Sequence, residues 1–321
     1  MKTTDAAIRF LSDYDRYFVL GHIEPDGDCA GSQLAIVSAL QRAGKKAAAL
    51  QTGPFDRPET LALDAMFERD VPQETNLSAA VIVCDCSTKD RIAPEYHGLL
   101  SFPTLIIDHH ASGEVFGDIR NVDSTAASTT LLVAELLEAH GSALTEQEAE
   151  LLFFGLVTDT GYFRHCEKHS QRVFSAAAKL VAAGASPKEA YQRMYGNREF
   201  LHRKYLGLLL SRAESFFGGR LVYTFQTLED EEIAAVGGRS TDELYGLFQT
   251  VKNVEVILFV REESADMCSV GLRSKREIDV GAIARQNNGG GHKLASGFYF
   301  TGKKEEVKTI LLETFAPLFQ G

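Results

Sequence analysis

"AAVIVCD" (79–85) and "TLIID" (104–108) are near-continuous apolar runs that each end in an aspartate. That is the pattern of a strand buried on both faces. Burial on both sides calls for covering helices, as in a parallel sheet wound by strand–helix crossovers. The flanking sequence supplies the other pieces. "YFVLG" (17–21) and "KKAAALQT" (45–52) read as strands, and "CAGSQLAIVSALQRAG" (29–44) between them reads as a helix closed by Gly44. "STTLLVAELLEAHG" (128–141) and "TEQEAELLFFGLVTDTG" (145–161) read as helices, the second with Glu146 and Glu148 in its first turn and a Leu/Phe core stripe over 151–156. The expectation is an α/β fold whose first domain, residues 1–185, is a doubly wound, mainly parallel sheet.

The pattern then changes. Residues 186–214 are charged, long and helical, and read as a single connector. "RLVYTFQT" (220–227), "VEVILFVRE" (254–262), "MCSVGLRS" (267–274) and "SGFYF" (296–300) are strands, with helices at "DVGAIARQN" (279–287) and "KKEEVKTILLETFAPLF" (303–319). They predict a smaller α/β domain over 215–321. A chain of 321 residues fits two domains and buries enough surface to need no disulfides. Its five cysteines form no metal-finger spacing and read as free thiols of a reducing compartment. No signal peptide or membrane-length apolar run is apparent, so the sequence reads as a soluble cytoplasmic protein with no membrane partner. The net charge of −11, from 33 Lys+Arg against 44 Asp+Glu, disfavours long nucleic acid as a ligand but allows a short polyanion.

Four segments of the first domain place acids or imidazoles at the carboxyl end of an apolar run or beside a helix end. They are His22, Asp26 and Asp28 after "YFVLG", Asp85 after "AAVIVC", Asp108, His109 and His110 after "TLII", and Asp159 after "LLFFGLVT". Open α/β sheets bind ligands outside the carboxyl ends of their strands, so the scattered groups are expected to converge. With Asp108 as support, the set holds four carboxylates, two imidazoles and no thiolate, which suits Mn²⁺ or Mg²⁺. Taken singly, Pro25-Asp26-Gly27-Asp28 is equally a turn with Asp28 as helix N-cap, Asp85 a strand-end cap, the histidines a packed pair, and Asp159-Thr160-Gly161 a helix end. Strand alternation puts the Cys84 and Cys86 thiols on the face opposite Asp85. His97, His140, His169 and His202 read as surface or connector residues, and Arg164 and His165 as neighbours of the site.

"HIEPDGD", "VCDC", "DHH" (108–110) and "TDTG", in that order, resemble the DHH phosphoesterase superfamily, and "GGGHKLASG" (289–297) resembles the substrate-binding element of its DHHA1-type domain. The chain looks most like the short stand-alone branch that degrades very short RNA and dephosphorylates 3′-phosphoadenosine 5′-phosphate (pAp). The resemblance implies two divalent ions, Mn²⁺ first with Mg²⁺ or Co²⁺ as substitutes. His22, Asp26 and Asp85 would hold one, and Asp28, Asp85, His109 and Asp159 the other. It also implies that His110 assists phosphoryl transfer, that Asp108 orients an imidazole, and that substrate lies in a cleft between the domains. Where the family often has Asn after the DHH, this chain has Gly113.

The second domain would supply specificity through Gly289, Gly290, Gly291, His292 and Arg273, although alone these read as a mobile loop and a surface arginine. The resulting expectation is a phosphoesterase acting on oligoribonucleotides of about 2–5 units or on pAp. The alternatives are a phosphodiesterase for cyclic dinucleotides or their linear products, pApA and pGpG, and a silent nucleotide sensor. "GGGH" is not the C-terminal signature of the pyrophosphatases, and no metal ligand is missing as a silent sensor would require. Monomer and homodimer both remain open.

Overall fold

A computed structural model describes residues 5–71, 78–111, 113–196, 198–230, 233–234 and 241–319. The chain divides into two compact units, residues 1–197 and 198–321. Among the described residues no helix is long and apolar enough to cross a membrane.

The first unit is built on five parallel strands, β1 (Arg16–Leu20), β2 (Lys46–Ala49), β3 (Ala79–Cys84), β4 (Thr104–Asp108) and β5 (Ile119–Val122), in the order β2-β1-β3-β4-β5. The order reverses at β1, which opens a crevice where the loops after β1 and β3 diverge. One sheet face, with Tyr17, Val19, Ile82, Leu105 and Ile107, packs on α2 (Gly27–Arg42), α3 (Thr129–Ala139) and α4 (Glu146–Asp159). The other face, with Phe18, Leu20, Val81, Val83 and Ile106, is closed by Ile92 and by Tyr96 and Leu99 of the 3₁₀ segment Pro94–Ser101 rather than by α-helices. Both faces are dry, as the apolar runs require.

Two glycines set how closely the helices approach. A Cβ on Gly31 of α2 would stand 2.6 Å from the Leu151 carbonyl oxygen, and one on Gly155 of α4 would stand 3.0 Å from the Asp28 Cα. This crossing brings the first turn of α2 against the last turns of α4. At their far ends Glu148 joins them. Thr145 and Glu148 form a capping box at the start of α4. The buried Glu148 carboxylate also accepts from Ser38 Oγ (2.9 Å), Arg42 Nε (3.1 Å) and Arg42 Nη2 (3.0 Å).

The expected single connector is two helices with a break at Gly196. α6 (Pro187–Tyr195) belongs to the first unit and α7 (Phe200–Ser211) to the second. Gly196, with an extended backbone at ψ −173°, ends α6. His202 lies on the connector, one of the two places read for it, and is buried there on α7, with Nε2 3.2 Å from Glu243 Oε2. Three further elements lacked a strong sequence signature: α1 (Asp5–Asp13), β5 and α5 (Gln171–Ala182).

The second unit has a six-stranded mixed sheet, β6 (Glu214–Phe216), β7 (Leu221–Gln226), β8 (Val256–Ser264), β9 (Met267–Ser274), β10 (Gly290–His292) and β11 (Ala295–Thr301), in the order β10-β11-β9-β8-β7-β6. Helices Val280–Gln286 and Lys304–Phe315 cover one face through Val280, Ile283, Val307 and Phe315. On the other face α7 and helix Thr241–Gln249 pack on Val222, Ile257 and Phe259 of β7 and β8.

Burial alone would raise the Glu148 carboxyl, but Arg42, the Thr145 N–H and Ser38 hold it below the usual carboxylate range. A carboxyl depressed by folding stabilises the fold above its unfolded pKa, and that contribution is lost as pH falls through the folded value. Glu148→Gln is expected to cost about 1–3 kcal/mol in denaturant unfolding at neutral pH. The gap to wild type should narrow on acidification below about pH 4; a gap that persists unchanged in acid would contradict an electrostatic anchor.

Candidate active site

The loop after β1 carries His22 inward. Its Nδ1–H donates to the Ile23 carbonyl (2.7 Å), which leaves Nε2 bare, 3.4 Å from Asp85 Oδ2 and 3.8 Å from Asp26 Oδ1. Asp26, not Asp28, is the N-cap of α2; its Oδ1 accepts from the Asp28 and Cys29 N–H groups, each at 3.1 Å. The helix therefore begins at Gly27, two residues before the expected start, and Asp28 lies inside its first turn. Asp28 is fully buried and is capped by a different helix. The Thr129 and Thr130 N–H groups at the start of α3 donate to it at 2.6 and 2.8 Å, and Thr130 Oγ1 at 2.6 Å. Two helix N-termini thus each hold one carboxylate, where positive dipole ends favour negative charge.

Asp85 sits one residue past β3 in the left-handed region (φ 57°), its N–H tied to the Ile107 carbonyl at 2.9 Å. That turn breaks strand alternation. Cys84 packs in the core under the helices and Cys86 on the opposite side of the sheet, which corrects the expectation that both thiols share a face. The two Asp85 oxygens face different partners. Oδ2 looks to His22, while Oδ1 accepts from Thr129 Oγ1 (2.9 Å) and lies 3.6 Å from His109 Nε2. His109 Nε2 is also 3.1 Å from Asp159 Oδ2 and 3.9 Å from Asp28 Oδ2. His110 Nδ1–H donates to Asp108 Oδ1 (2.7 Å), and the His110 backbone N–H reaches the same oxygen at 3.1 Å. Ser87 holds the other Asp108 oxygen. His110 is the most exposed imidazole of the cluster, at 41% of its side chain.

The electrostatics follow from crowding. Burial raises the Asp28 and Asp85 carboxyls, and neighbouring acids raise them further: Asp85 and Asp159 act on Asp28, Asp26 and Asp159 on Asp85. Burial alone would lower His109, but Asp159, Asp28 and Asp85 push it up to about 9. His110 is raised chiefly by its bond to Asp108. A cluster that collects protons in this way offers a bound cation the same compensation. The oxygen and imidazole donors fall into groups that fit divalent ions: Asp85 with His109 and His110, Asp28 with His109 and Asp159, and His22 and Asp85 with Cys29. The Cys29 thiol is raised to about 11 by burial, and its Sγ donates to Gln33 Oε1 at 3.6 Å, so it serves as packing rather than as a thiolate ligand.

All eight candidate groups of the first unit, His22, Asp26, Asp28, Asp85, Asp108, His109, His110 and Asp159, thus lie together. Arg164 is exposed nearby in sequence, with Nη2 3.5 Å from His165 Nε2. Gly113 allows its backbone to approach Ser87; a Cβ there would fall 2.4 Å from the Ser87 Cβ, so the Asn of the family pattern has no room.

In the second unit, a cavity of about 730 Å³ lies on the sheet face left open by α7, lined by Tyr245, Arg273, Asn288, Gly289, Gly290 and Tyr299 among others. The glycine run is not a mobile loop. Gly290–His292 pairs with β11, and the Gly289 N–H is already bonded to the Ala284 carbonyl at 2.8 Å. A Cβ on Gly289 would stand 2.2 Å from the Gly297 carbonyl oxygen, whereas nothing lies within 4 Å of one on Gly290. Gly290 is therefore where a ligand has space. Gly291 and His292 lie outside the cavity lining, on the exposed edge strand. The Arg273 guanidinium stacks over the Tyr245 ring at 4.3 Å. Sequence reasoning missed Tyr245, Ser87, Thr129 and Thr130. "STT" is legible as a helix start, but not that its N–H groups point at Asp28.

Residues 16–156 match the DHH family, N-terminal domain, and residues 220–319 match the DHHA1 domain. The bifunctional oligoribonuclease and PAP phosphatase NrnA of Bacillus subtilis is 29% identical over 90% of this chain and 91% of its own. The protein of the same description from Thermus thermophilus is 28% identical over 89% of this chain and 84% of its own. Among solved structures, an exopolyphosphatase-related protein from Bacteroides fragilis superposes with a TM-score of 0.82 at 22% identity, over 99% of this chain and 98% of that one, a likeness of fold. With both domains matched in order and the acid–imidazole cluster assembled on the first, the chain belongs to the DHH/DHHA1 phosphoesterases.

Proposed function

We propose that this protein uses two divalent cations, Mn²⁺ by preference with Mg²⁺ or Co²⁺ as substitutes, to hydrolyse oligoribonucleotides of about 2–5 units to mononucleotides and pAp to AMP and phosphate. The observation that carries the reading is the division of Asp85, whose Oδ2 faces His22 while Oδ1 faces His109. A carboxylate directed to both sides suits a bridging role, with His22 and Asp26 completing one site and Asp28, His109 and Asp159 the other. Such a pair of ions, when bound, neutralises phosphoryl oxygens and lowers the pKa of a water.

The chain's own groups do the rest. Asp108 takes the His110 Nδ1–H and so keeps the proton on Nε2 in the imidazolium form, ready for the leaving oxygen. Thr129 and Thr130 fix Asp85 and Asp28. In the second unit Arg273, beside the open ground at Gly290, would take a terminal phosphate; in the first unit Arg164 offers a separate positive group. The NrnA relatives support short RNA and pAp as substrates. pApA, pGpG and cyclic dinucleotides are the rivals within the same chemistry.

Asp85→Ala should abolish turnover. His110→Ala should keep its metal, measured by mass spectrometry of the purified protein, while kcat falls by roughly 10²–10⁴-fold. Equal metal loss in both variants would make His110 a ligand rather than an acid. On a substrate panel in Mn²⁺, kcat/KM should be highest for pAp and the shortest oligonucleotides. Arg273→Ala should raise KM on those substrates while a generic small phosphodiester is still cleaved. Long single strands degraded as efficiently as dinucleotides at physiological salt would contradict the reading.

A further inference from the structure

Two residues after Asp159 the backbone turns left-handed at three consecutive residues, Gly161 (φ 56°), Tyr162 (φ 55°) and Phe163 (φ 68°). That conformation is uncommon for any residue with a side chain and more so for a bulky one, and it persists only where the surroundings enforce it. Here they do. The Tyr162 N–H donates to the Val157 carbonyl at 2.7 Å, the Phe163 N–H to Thr160 Oγ1 at 3.2 Å, and the Tyr162 hydroxyl to the Pro187 carbonyl at 2.5 Å. The turn delivers the Tyr162 ring to α6, where it meets Tyr191 at 5.3 Å and 87° and Tyr195 at 6.4 Å; those two rings are 5.0 Å apart. Tyr191 and Tyr195 remain 52% and 40% exposed. One packed link connects this aromatic shelf to the acid–imidazole cluster. Arg193 of α6 lies over Phe154 at 4.9 Å, and Phe154 backs Gly27, between Asp26 and Asp28. The charge of Arg164 also reaches the Tyr195 ring.

We propose that Tyr162, Tyr191 and Tyr195 form a stacking shelf for a nucleobase of the substrate, with Arg164 meeting the phosphate attached to it. The inference rests on the nucleotide reading of the active site and adds a base-binding element on the first unit. Tyrosine rings offer flat faces to a planar base and tolerate any base, because each has a π-face. The Tyr162 hydroxyl is held by the Pro187 carbonyl, so the partly exposed Tyr191 and Tyr195 rings are the ones a base can reach. Arg164 supplies positive charge beside the rings, which matches a base bearing phosphate rather than an uncharged aromatic.

The test uses the fluorescence of 2-aminopurine riboside 5′-monophosphate, quenched when the base stacks, titrated with the full chain in Mg²⁺; the probe is a 5′-mononucleotide, the product class of the proposed reaction rather than its substrate. Wild type should quench it, and Tyr191→Ala/Tyr195→Ala should weaken binding about tenfold relative to ribose 5-phosphate measured by calorimetry. The pair Tyr191→Phe/Tyr195→Phe keeps the rings and should retain wild-type affinity, which separates stacking from misfolding. Equal affinity of the alanine pair and wild type would overturn the proposal, as would a phenylalanine pair as weak as the alanine pair. A change only in mass by light scattering, with nucleotide affinity untouched, would assign the shelf to self-association and likewise overturn it. Ring-dependent quenching in a protein that hydrolyses no nucleotide would uphold the shelf while refuting the proposed activity.

Discussion

Two buried carboxylates, Asp28 and Asp85, are the constraint to which the rest of the first unit answers. Placing like charges this close in a dry interior is unfavourable unless donors and cations meet them. The chain meets part of the demand with backbone: the first turn of α3 aims two N–H groups and two threonine hydroxyls at these acids. That aim works only if α2, α3 and α4 sit unusually close, and Gly31 and Gly155 let them. The remaining imbalance, visible in the raised carboxyls and in the raised His109, is what a divalent ion would relieve.

The second unit solves a different problem. Its sheet is covered on one face along its length but on the other mainly over β7 and β8, so β9 and β11 expose Arg273, Gly271 and Tyr299 beside the Gly290 gap. Gly271 carries no side chain because a Cβ there would fall 2.1 Å from the Tyr245 hydroxyl. The Tyr245 ring in turn supports the Arg273 guanidinium. A charged group held against an aromatic face is preorganised for an anion and loses little freedom on binding one.

Much of this was legible in the sequence because it is periodic. Runs such as 79–85 and 104–108 announce buried strands, and acids at their ends announce a shared edge, so the sequence alone assigns the eight groups of the cluster to one place. What escaped prediction depends on tertiary contact. The alternative reading of Asp28 as a helix N-cap falls because Asp26 takes that place and α3, distant in sequence, supplies the donors to Asp28. Cys86 left the Cys84 face because Asp85 turns left-handed, which alternation does not encode. Gly289 and Gly291 read as phosphate-binding flexibility, yet both are small because their own hairpin crowds them. The break at Gly196 divided what composition presented as one helix.

The central claim is that Asp85 joins two cations. Electron paramagnetic resonance during a Mn²⁺ titration of the metal-free protein tests it most directly, because two Mn²⁺ ions sharing a carboxylate are magnetically coupled and isolated ions are not. The account predicts a coupled spectrum saturating at about two ions per chain, replaced by uncoupled signals in Asp85→Asn. Saturation at a single ion, or an identical coupled spectrum in the variant, would contradict it.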